Sequence, residues 1–292
     1  MQLFVNDLTV MDFSYLCPER GMVGESWIVD VILDGDLNEE SMVQDFGKVK
    51  KNLKRLIDEY VDHKLAVPAE HPAAEAIHDD SSDQVEVRFT TNNGERILLS
   101  CPADAYAFIY ADAVTMDSVG VYLKEVIATH LPDNVDNITL NLRTEVIDSP
   151  YYHYTHGLKK HDGNCQRIAH GHRSRIDIYH EGQISTQSQA YWAERWRDIY
   201  IATDEDRIAL SSRKTTGEIP EPDAYHCFAY EASQGYFELV IPQSLCEVIT
   251  TDTTVECLAQ FLLDEECKRT RGCAVRVVAY EGVGKGAMVS QL

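Results

Sequence analysis

Two halves of this 292-residue chain carry the same short landmarks in the same order. The tripeptide at 24–26 (G-E-S) precedes a predicted strand in the first half, and the tripeptide at 171–173 (G-H-R) precedes one in the second. The segments 29–31 (V-D-V) and 176–178 (I-D-I) follow at the same separation of 147 residues. Two unrelated α+β halves could share such landmarks by chance. Their conserved order along the chain nevertheless favours an internal repeat, in which similar units pack together.

Each half also contains a helix that begins at a threonine and leads to a strand ending in glutamate. Thr115 opens T-M-D-S-V and Thr254 opens T-V-E-C-L, and threonine is a favourable helix N-cap. The following strands end at Glu145 and Glu281. Hydrophobic periodicity predicts strands at 3–16, 27–33, 137–145, 151–158, 173–180, 236–241 and 274–281, a hairpin at 85–100, and helices at 43–60, 115–129, 188–200 and 254–266. Residues 69–84 are polar and are predicted to form a long loop.

Composition excludes several classes of function. Hydrophobic residues make up 44% of the chain, enough to bury a core, while the net charge of −22 argues against binding of nucleic acid. The chain has no run of eighteen apolar residues and no signal-peptide pattern at its start, so no membrane span is expected. The eight cysteines form no C-x-x-C pair and are predicted to be reduced. A cytoplasmic protein is therefore expected.

The densest group of chemically useful side chains lies at 165–172, which reads C-Q-R-I-A-H-G-H. A strand projects alternate side chains to one face, so His170 and His172 are predicted to point the same way. With His156 from the preceding segment, three imidazoles would form three corners of a zinc site, and a water or substrate oxygen would take the fourth. Cys165 is close enough to reach the same pocket without binding the metal. The alternative is that these are ordinary buried side chains.

In their order, these motifs resemble the 6-pyruvoyl-tetrahydropterin synthase and 6-carboxytetrahydropterin synthase family, which has the tunnelling fold (T-fold). The second half keeps a strand ending in histidine, a cysteine before H-G-H, T-V-E and a terminal glutamate. The first half keeps D-F at 45–46 and the Asp62-His63 pair, but reads V-G-E-S where H-G-H is expected. The resemblance implies two tandem α+β T-fold domains. Residues 1–148 would be a degenerate copy without metal ligands, and residues 149–292 would be the zinc-binding copy.

The resemblance also implies an activity: a zinc-dependent lyase acting on 7,8-dihydroneopterin triphosphate or a close relative, giving a 6-carboxy- or 6-pyruvoyl-tetrahydropterin product. His156, His170 and His172 would bind zinc, and Cys165 would act with Asp62 and His63 from the other copy. The alternative is a non-catalytic module that binds zinc and a pterin, with a vestigial first copy. T-fold domains close into rings, so a homo-oligomer with a barrel is expected.

Substrate binding is assigned to four residues on the same basis. Glu281 would accept hydrogen bonds from the amino group and ring N–H of the pterin. The other three are Thr254, Lys159 and Arg173, and the basic residues nearest the metal strand, Lys159, Lys160, Arg167, Arg173 and Arg175, include candidates for binding the triphosphate.

Overall fold

The computed structural model describes residues 1–79 and 81–291. The first half of the chain (residues 1–148) contains α1 (Phe46–Tyr60), α2 (Met116–Ala128) and the strands β1 (Gln2–Cys17), β2 (Gly21–Gly35), β3 (Leu65–Pro68), β4 (Ala74–His78), β5 (Gln84–Thr90), β6 (Arg96–Pro102), β7 (Tyr106–Ile109) and β8 (Val135–Thr144). The second half (residues 149–292) contains α3 (Thr186–Arg195), α4 (Val255–Arg269) and the strands β9 (Tyr151–His156), β10 (His170–His180), β11 (Gln183–Ile184), β12 (Ile199–Thr203), β13 (Arg207–Ile208), β14 (Tyr225–Ala232), β15 (Gly235–Pro242), β16 (Cys246–Ile249), β17 (Val275–Tyr280) and β18 (Gly286–Gln291).

Two of the sheets are each built from one half of the chain. One has the order β7-β3-β1-β2-β8, and the other has the order β16-β12-β9-β10-β17-β18, with β11 paired to β10. A third sheet, β13-β14-β15-β6-β5-β4, joins the halves, because β15 pairs with β6 and Leu239 lies opposite Leu99. The division into domains at 148/149 stays a prediction, since one sheet runs across it.

The helices cover the two single-half sheets through their apolar faces. In α1, the buried face consists of Val49, Leu53, Leu56 and Ile57, at the spacing of an amphipathic helix. Asp45 of the D-F motif caps this helix by accepting a 2.9 Å hydrogen bond from the amide of Lys48. In the second half, Trp192 and Trp196 are both fully buried and pack edge-on, 5.5 Å apart. They stabilise the core between α3, α4 and the sheet.

Two predicted elements are wrong in part. The polar stretch at 69–84 contains β4, an edge strand that pairs antiparallel with β5. Most of its side chains are exposed, so it lacks the alternation by which a half-buried strand is recognised. The helix predicted at 188–200 ends at Arg195, because Asp198 has a left-handed φ of 54° and the apolar residues from Ile199 onward form the buried strand β12.

No helix in the described part of the chain is long and apolar enough to cross a membrane.

Candidate active site at the crossing of the two halves

Strand β2 of the first half crosses β10 of the second half at a pair of glycines, Gly24 and Gly171. A Cβ atom on Gly24 would lie 1.9 Å from the carbonyl oxygen of Tyr154 and 2.6 Å from the backbone nitrogen of His172. A Cβ atom on Gly171 would lie 2.6 Å from the Cα of Gly24. Only glycine allows the two backbones to approach this closely. The crossing places β1 and the end of α1 beside the histidine-bearing strand.

The three histidines of the predicted metal site lie together at this crossing. His156 ends β9 and lies directly opposite His170 at the start of β10, while His172 follows two residues later on the same face. Their ring centroids are 4.4 to 5.8 Å apart, and one ligand atom from each lies within 4.8 Å of the others. All three side chains are almost completely buried.

The Nδ1 atom of each histidine faces a polar group that fixes the ring. Histidines that bind metals typically have such a partner on the nitrogen that does not bind. The three contacts are His156 Nδ1 to Thr253 Oγ1 (3.0 Å), His170 Nδ1 to the carbonyl oxygen of Arg167 (3.1 Å) and His172 Nδ1 to Asp12 Oδ1 (3.2 Å). The Nε2 atoms are therefore left to face the centre of the cluster.

These Nε2 atoms have the chemistry of a metal site. Those of His156 and His172 are buried and have no hydrogen-bond partner among the described residues, and Nδ1 of His172 has only its 3.2 Å ion-pair contact with Asp12. A buried polar atom without a partner is costly, and a metal ion is one way to satisfy it. Burial, together with the neighbouring imidazoles, holds the pKa of His156 and His170 well below its usual value. The neutral imidazole is the form that binds zinc.

His63 reaches this cluster from the first half of the chain. One ligand atom from each of His63, Cys165 and His170 lies within 4.8 Å of the others. Asp62 Oδ2 lies 2.7 Å from Nδ1 of His63. Burial disfavours the charged imidazole, but hydrogen bonds to Asp62 and Cys165 raise the pKa of His63 to about 10. The structure thus brings the predicted Asp-His pair and the predicted thiol together within one chain.

Two of the predicted substrate-binding residues flank the cluster differently. Glu281 Oε1 lies 4.0 Å from Nε2 of His172, so this carboxylate borders the histidines. Thr254 caps α4, and its hydroxyl oxygen accepts a 3.3 Å hydrogen bond from the amide of Cys257. Its neighbour Thr253 is the residue that contacts His156. Thr254 is thus the predicted N-cap of α4, and the contact with the histidine cluster comes from Thr253.

The two predicted basic residues are engaged elsewhere. Lys159 Nζ lies 2.6 Å from Asp206 Oδ1. The Arg173 guanidinium stacks 4.2 Å above the ring of Tyr151 and donates to the carbonyl oxygen of Glu145. None of these contacts is with the histidines or Cys165.

Two other basic residues are adjacent in the chain to the proposed site residues. Lys64 follows directly after His63, and Arg167 lies between Cys165 and His170; both are more than nine-tenths buried. Neither forms an ion pair within the described residues, and Arg167 Nη1 has no hydrogen-bond partner there. Burial lowers the pKa of Arg167, and burial together with repulsion from Arg167 lowers the pKa of Lys64 to about 8. Sequence reasoning noted Arg167 but missed Lys64, although Lys64 continues the D-H motif.

The opposite side of the crossing carries different chemistry, and we call it the counterpart cluster: Arg20, Glu25, His153 and Asp198. Asp198 has the same left-handed backbone as His63, at the same register position, but it binds Arg20 through contacts of 2.5 and 2.9 Å. Glu25 occupies the position of His172 and lies 3.9 Å from His153. On this side carboxylates thus replace the imidazoles of His172 and His63, and one of them forms an ion pair with Arg20.

Comparison with known proteins relates the first half of this chain to one family. Residues 17–145 match the family model of 6-pyruvoyl tetrahydropterin synthase. The match confirms the resemblance and the T-fold predicted from the sequence motifs, and it supports a function of the pterin-synthase type. It covers the half that carries Asp62 and His63, while the histidine cluster and Cys165 lie outside it. A search of curated proteins found no match.

Two solved structures of 6-pyruvoyl tetrahydropterin synthases are similar to part of this chain. The 6-pyruvoyl tetrahydropterin synthase of Plasmodium vivax is 15% identical over 51% of this chain and 93% of its own, with a TM-score of 0.40. That of Plasmodium falciparum is 12% identical over 49% of this chain and 90% of its own, with a TM-score of 0.39.

Proposed function

We propose that this protein is a zinc-dependent pterin synthase or lyase whose active site combines residues from both halves of one chain. The observation that carries the proposal is the meeting of His63 from the first half with Cys165 and His170 from the second. A thiol, an imidazole paired with a carboxylate, and three buried histidines form the set that the family resemblance implies. The substrate would be 7,8-dihydroneopterin triphosphate or a close relative, converted to a 6-carboxy- or 6-pyruvoyl-tetrahydropterin product.

The three histidines fit a zinc ion. His156 and His172 would bind through Nε2, the buried atoms that have no partner among the described residues, and His170 would complete the set. Zinc in this position would supply Lewis acidity toward a hydroxyl or carbonyl oxygen of the substrate.

Cys165 is the proposed general base. Abstraction of a proton next to a carbonyl or imine needs a group that is deprotonated near working pH. The His63 imidazolium, oriented by Asp62 at 2.7 Å, would stabilise the Cys165 thiolate. The thiolate would take the proton from the substrate side chain onto Sγ.

The remaining polar groups match the two ends of such a substrate. Glu281 would accept hydrogen bonds from the guanidine-like edge of the pterin, since its carboxylate borders the histidines. Lys64 follows His63, Arg167 lies two residues after Cys165, and both are buried without ion pairs in the described chain, so an anionic group would offset the repulsion by Arg167 that lowers the pKa of Lys64. We therefore assign the phosphate end to these two residues instead of Lys159 and Arg173.

Turnover of 7,8-dihydroneopterin triphosphate by the wild type and by Cys165→Ala tests this function. The variant should lose at least about 100-fold in kcat while keeping its zinc, because general-base catalysis contributes about 10² to 10⁴. Cys17→Ala is a matched control, since Cys17 is the last residue of β1, outside the cluster that contains Cys165. Wild-type protein that binds zinc and a pterin without turnover would instead be the non-catalytic binding module.

A further inference from the structure

We propose that Asp12 is a positioning residue that connects the metal site with the acid–base pair. It lies on β1 of the first half, outside every motif of the sequence analysis. The proposal rests on the zinc site proposed above. In this role the side chain of Asp12 orients His172, and its backbone holds Asp62 and His63.

The side chain of Asp12 is held against a metal histidine. Its Oδ1 atom lies 3.2 Å from Nδ1 of His172 and accepts a 2.5 Å hydrogen bond from the hydroxyl of Ser26. Its Oδ2 atom lies 3.1 Å from Nζ of Lys285. A Cβ on Gly282 would approach Oδ1 to 2.4 Å, so the carboxylate is enclosed on that side as well. With 3% of its surface exposed, Asp12 has little room to rotate away from His172.

The backbone of Asp12 holds the acid–base pair. Its amide donates a 2.7 Å hydrogen bond to Oδ1 of Asp62. Its carbonyl oxygen accepts a 2.7 Å hydrogen bond from the amide of His63. His63 has a left-handed φ of 56°, a conformation that costs energy in a residue with a side chain, so it needs such support. One residue thus fixes both partners of Cys165 and one imidazole of the cluster.

In the counterpart cluster, the residue equivalent to Asp12 is not a carboxylate. The repeat of the two halves therefore does not by itself require an aspartate at position 12. His153 occupies the register position of Asp12, because Asp12 lies opposite Ser26 and His153 lies opposite Arg173. In the counterpart cluster the imidazole of His153 takes the position of Asp12, and the carboxylate of Glu25 takes the position of His172. There Nδ1 of His153 contacts the carbonyl oxygen of Gly24 at 2.7 Å, with Glu25 3.9 Å away, so only on the Asp12 side does a carboxylate closely approach Nδ1 of a histidine.

This arrangement suits the carboxylate–histidine–metal relay found in many zinc sites. A carboxylate that accepts from Nδ1–H keeps the lone pair on Nε2 and increases its basicity. Removal of such a partner typically weakens metal binding by about 10- to 100-fold. In Asp12→Asn the backbone contacts to Asp62 and His63 remain, so the two roles of the residue can be separated.

The test compares zinc affinity with the reactivity of Cys165. Competition with a chromophoric chelator should give a zinc Kd about 10- to 100-fold higher for Asp12→Asn than for the wild type. The rate of alkylation of Cys165, followed by mass spectrometry of its peptide, should change less than about twofold, because His63 stays in place. The matched control Glu25→Gln removes the equivalent carboxylate of the counterpart cluster, and its zinc Kd should equal that of the wild type.

A second measurement needs no variant that might fail to fold. In zinc-loaded wild-type protein, ¹⁵N NMR of the imidazoles should find the proton of His172 on Nδ1. A proton on Nε2, or an unchanged zinc Kd in Asp12→Asn, would overturn the proposal. Wild-type protein that binds no zinc would instead refute the metal site of the proposed function.

Discussion

Replacement of Gly24 by alanine tests whether the crossing of the two halves builds the site. The new Cβ would lie 1.9 Å from the oxygen of Tyr154 and 2.6 Å from the nitrogen of His172, both backbone atoms that cannot rotate away. Ordinary contact needs about 3.5 Å, so the strands would have to separate by roughly 1.5 Å. That displacement would carry Asp12 and His63 away from the second half.

The cost of Gly24→Ala should be large. Overpacking of a well-packed interior costs about 1 to 3 kcal/mol, and a clash with backbone on the facing strand is at the upper end of this range or above it. We expect the free energy of unfolding, measured by urea denaturation, to fall by at least about 3 kcal/mol. Zinc affinity and the His63-dependent reactivity of Cys165 should be lost together, because both depend on the contact between β2 and β10.

Gly120→Ala is the matched control for this change. A Cβ on Gly120, inside α2, would meet no atom within 4 Å. Alanine in a helix interior should increase stability by up to about 1 kcal/mol. A Gly24→Ala protein as stable as Gly120→Ala, with unchanged zinc affinity, would refute the reasoning.

Three further predictions concern the counterpart cluster and the metal. Burial raises the pKa of Glu25 from 4.5 to about 7, so the folded state binds more protons than the unfolded state between these values, and its stability falls as pH rises through them. The unfolding free energy of wild type minus that of Glu25→Gln should therefore drop by on the order of 3 kcal/mol from pH 4.5 to 7 in urea titrations, and a pH-independent difference would contradict this. Arg20→Ala leaves Asp198 without its bidentate partner and should cost about 1 to 2 kcal/mol, partly recovered in Arg20→Ala/Asp198→Ala; additive losses in a double-mutant cycle would exclude the coupling. Removal of zinc by a chelator should lower the thermal unfolding midpoint, because a ligand at 100 times its Kd adds about 2.7 kcal/mol to the free energy of unfolding. Identical thermal scans with and without chelator would argue against bound metal.

The long elements and the short motifs could be predicted from the sequence for clear physical reasons. The strand at 3–16 and the helix at 43–60 show the periodicity of half-buried elements, and the structure has β1 and α1 there. Thr115 is an N-cap that also forms a capping box with Ser118, as local side-chain chemistry predicts. H-G-H places two imidazoles on one face through the pleat alone.

The parts that depend on contacts between the halves were not accessible in this way. Asp12 is one of two aspartates in β1, and only the crossing gives it His172 as a neighbour. The paired glycines, Gly24 and Gly171, were noticed as a repeat, but periodicity does not indicate that they touch. Asp198 has a left-handed backbone that its contact with Arg20 stabilises, and α3 does not continue through it. The sequence pattern does not show this contact, so the predicted helix is too long.

The exchange of acid and base between the two sides of the crossing has a consequence for self-recognition. If two first halves paired, Asp12 would meet Glu25 and two carboxylates would share a buried position; if two second halves paired, His153 would meet His172. Acid meets base only when unlike halves associate, as they do within this chain. Two ionised carboxylates in a buried contact cost several kcal/mol, so the specificity against paired first halves follows from repulsion as much as from attraction. We infer that the two halves, expressed as separate tagged chains, would co-purify as unlike pairs, and recovery of like pairs in equal amounts would contradict this. Association of like halves is thereby disfavoured, whereas the complementary half is supplied within the same chain.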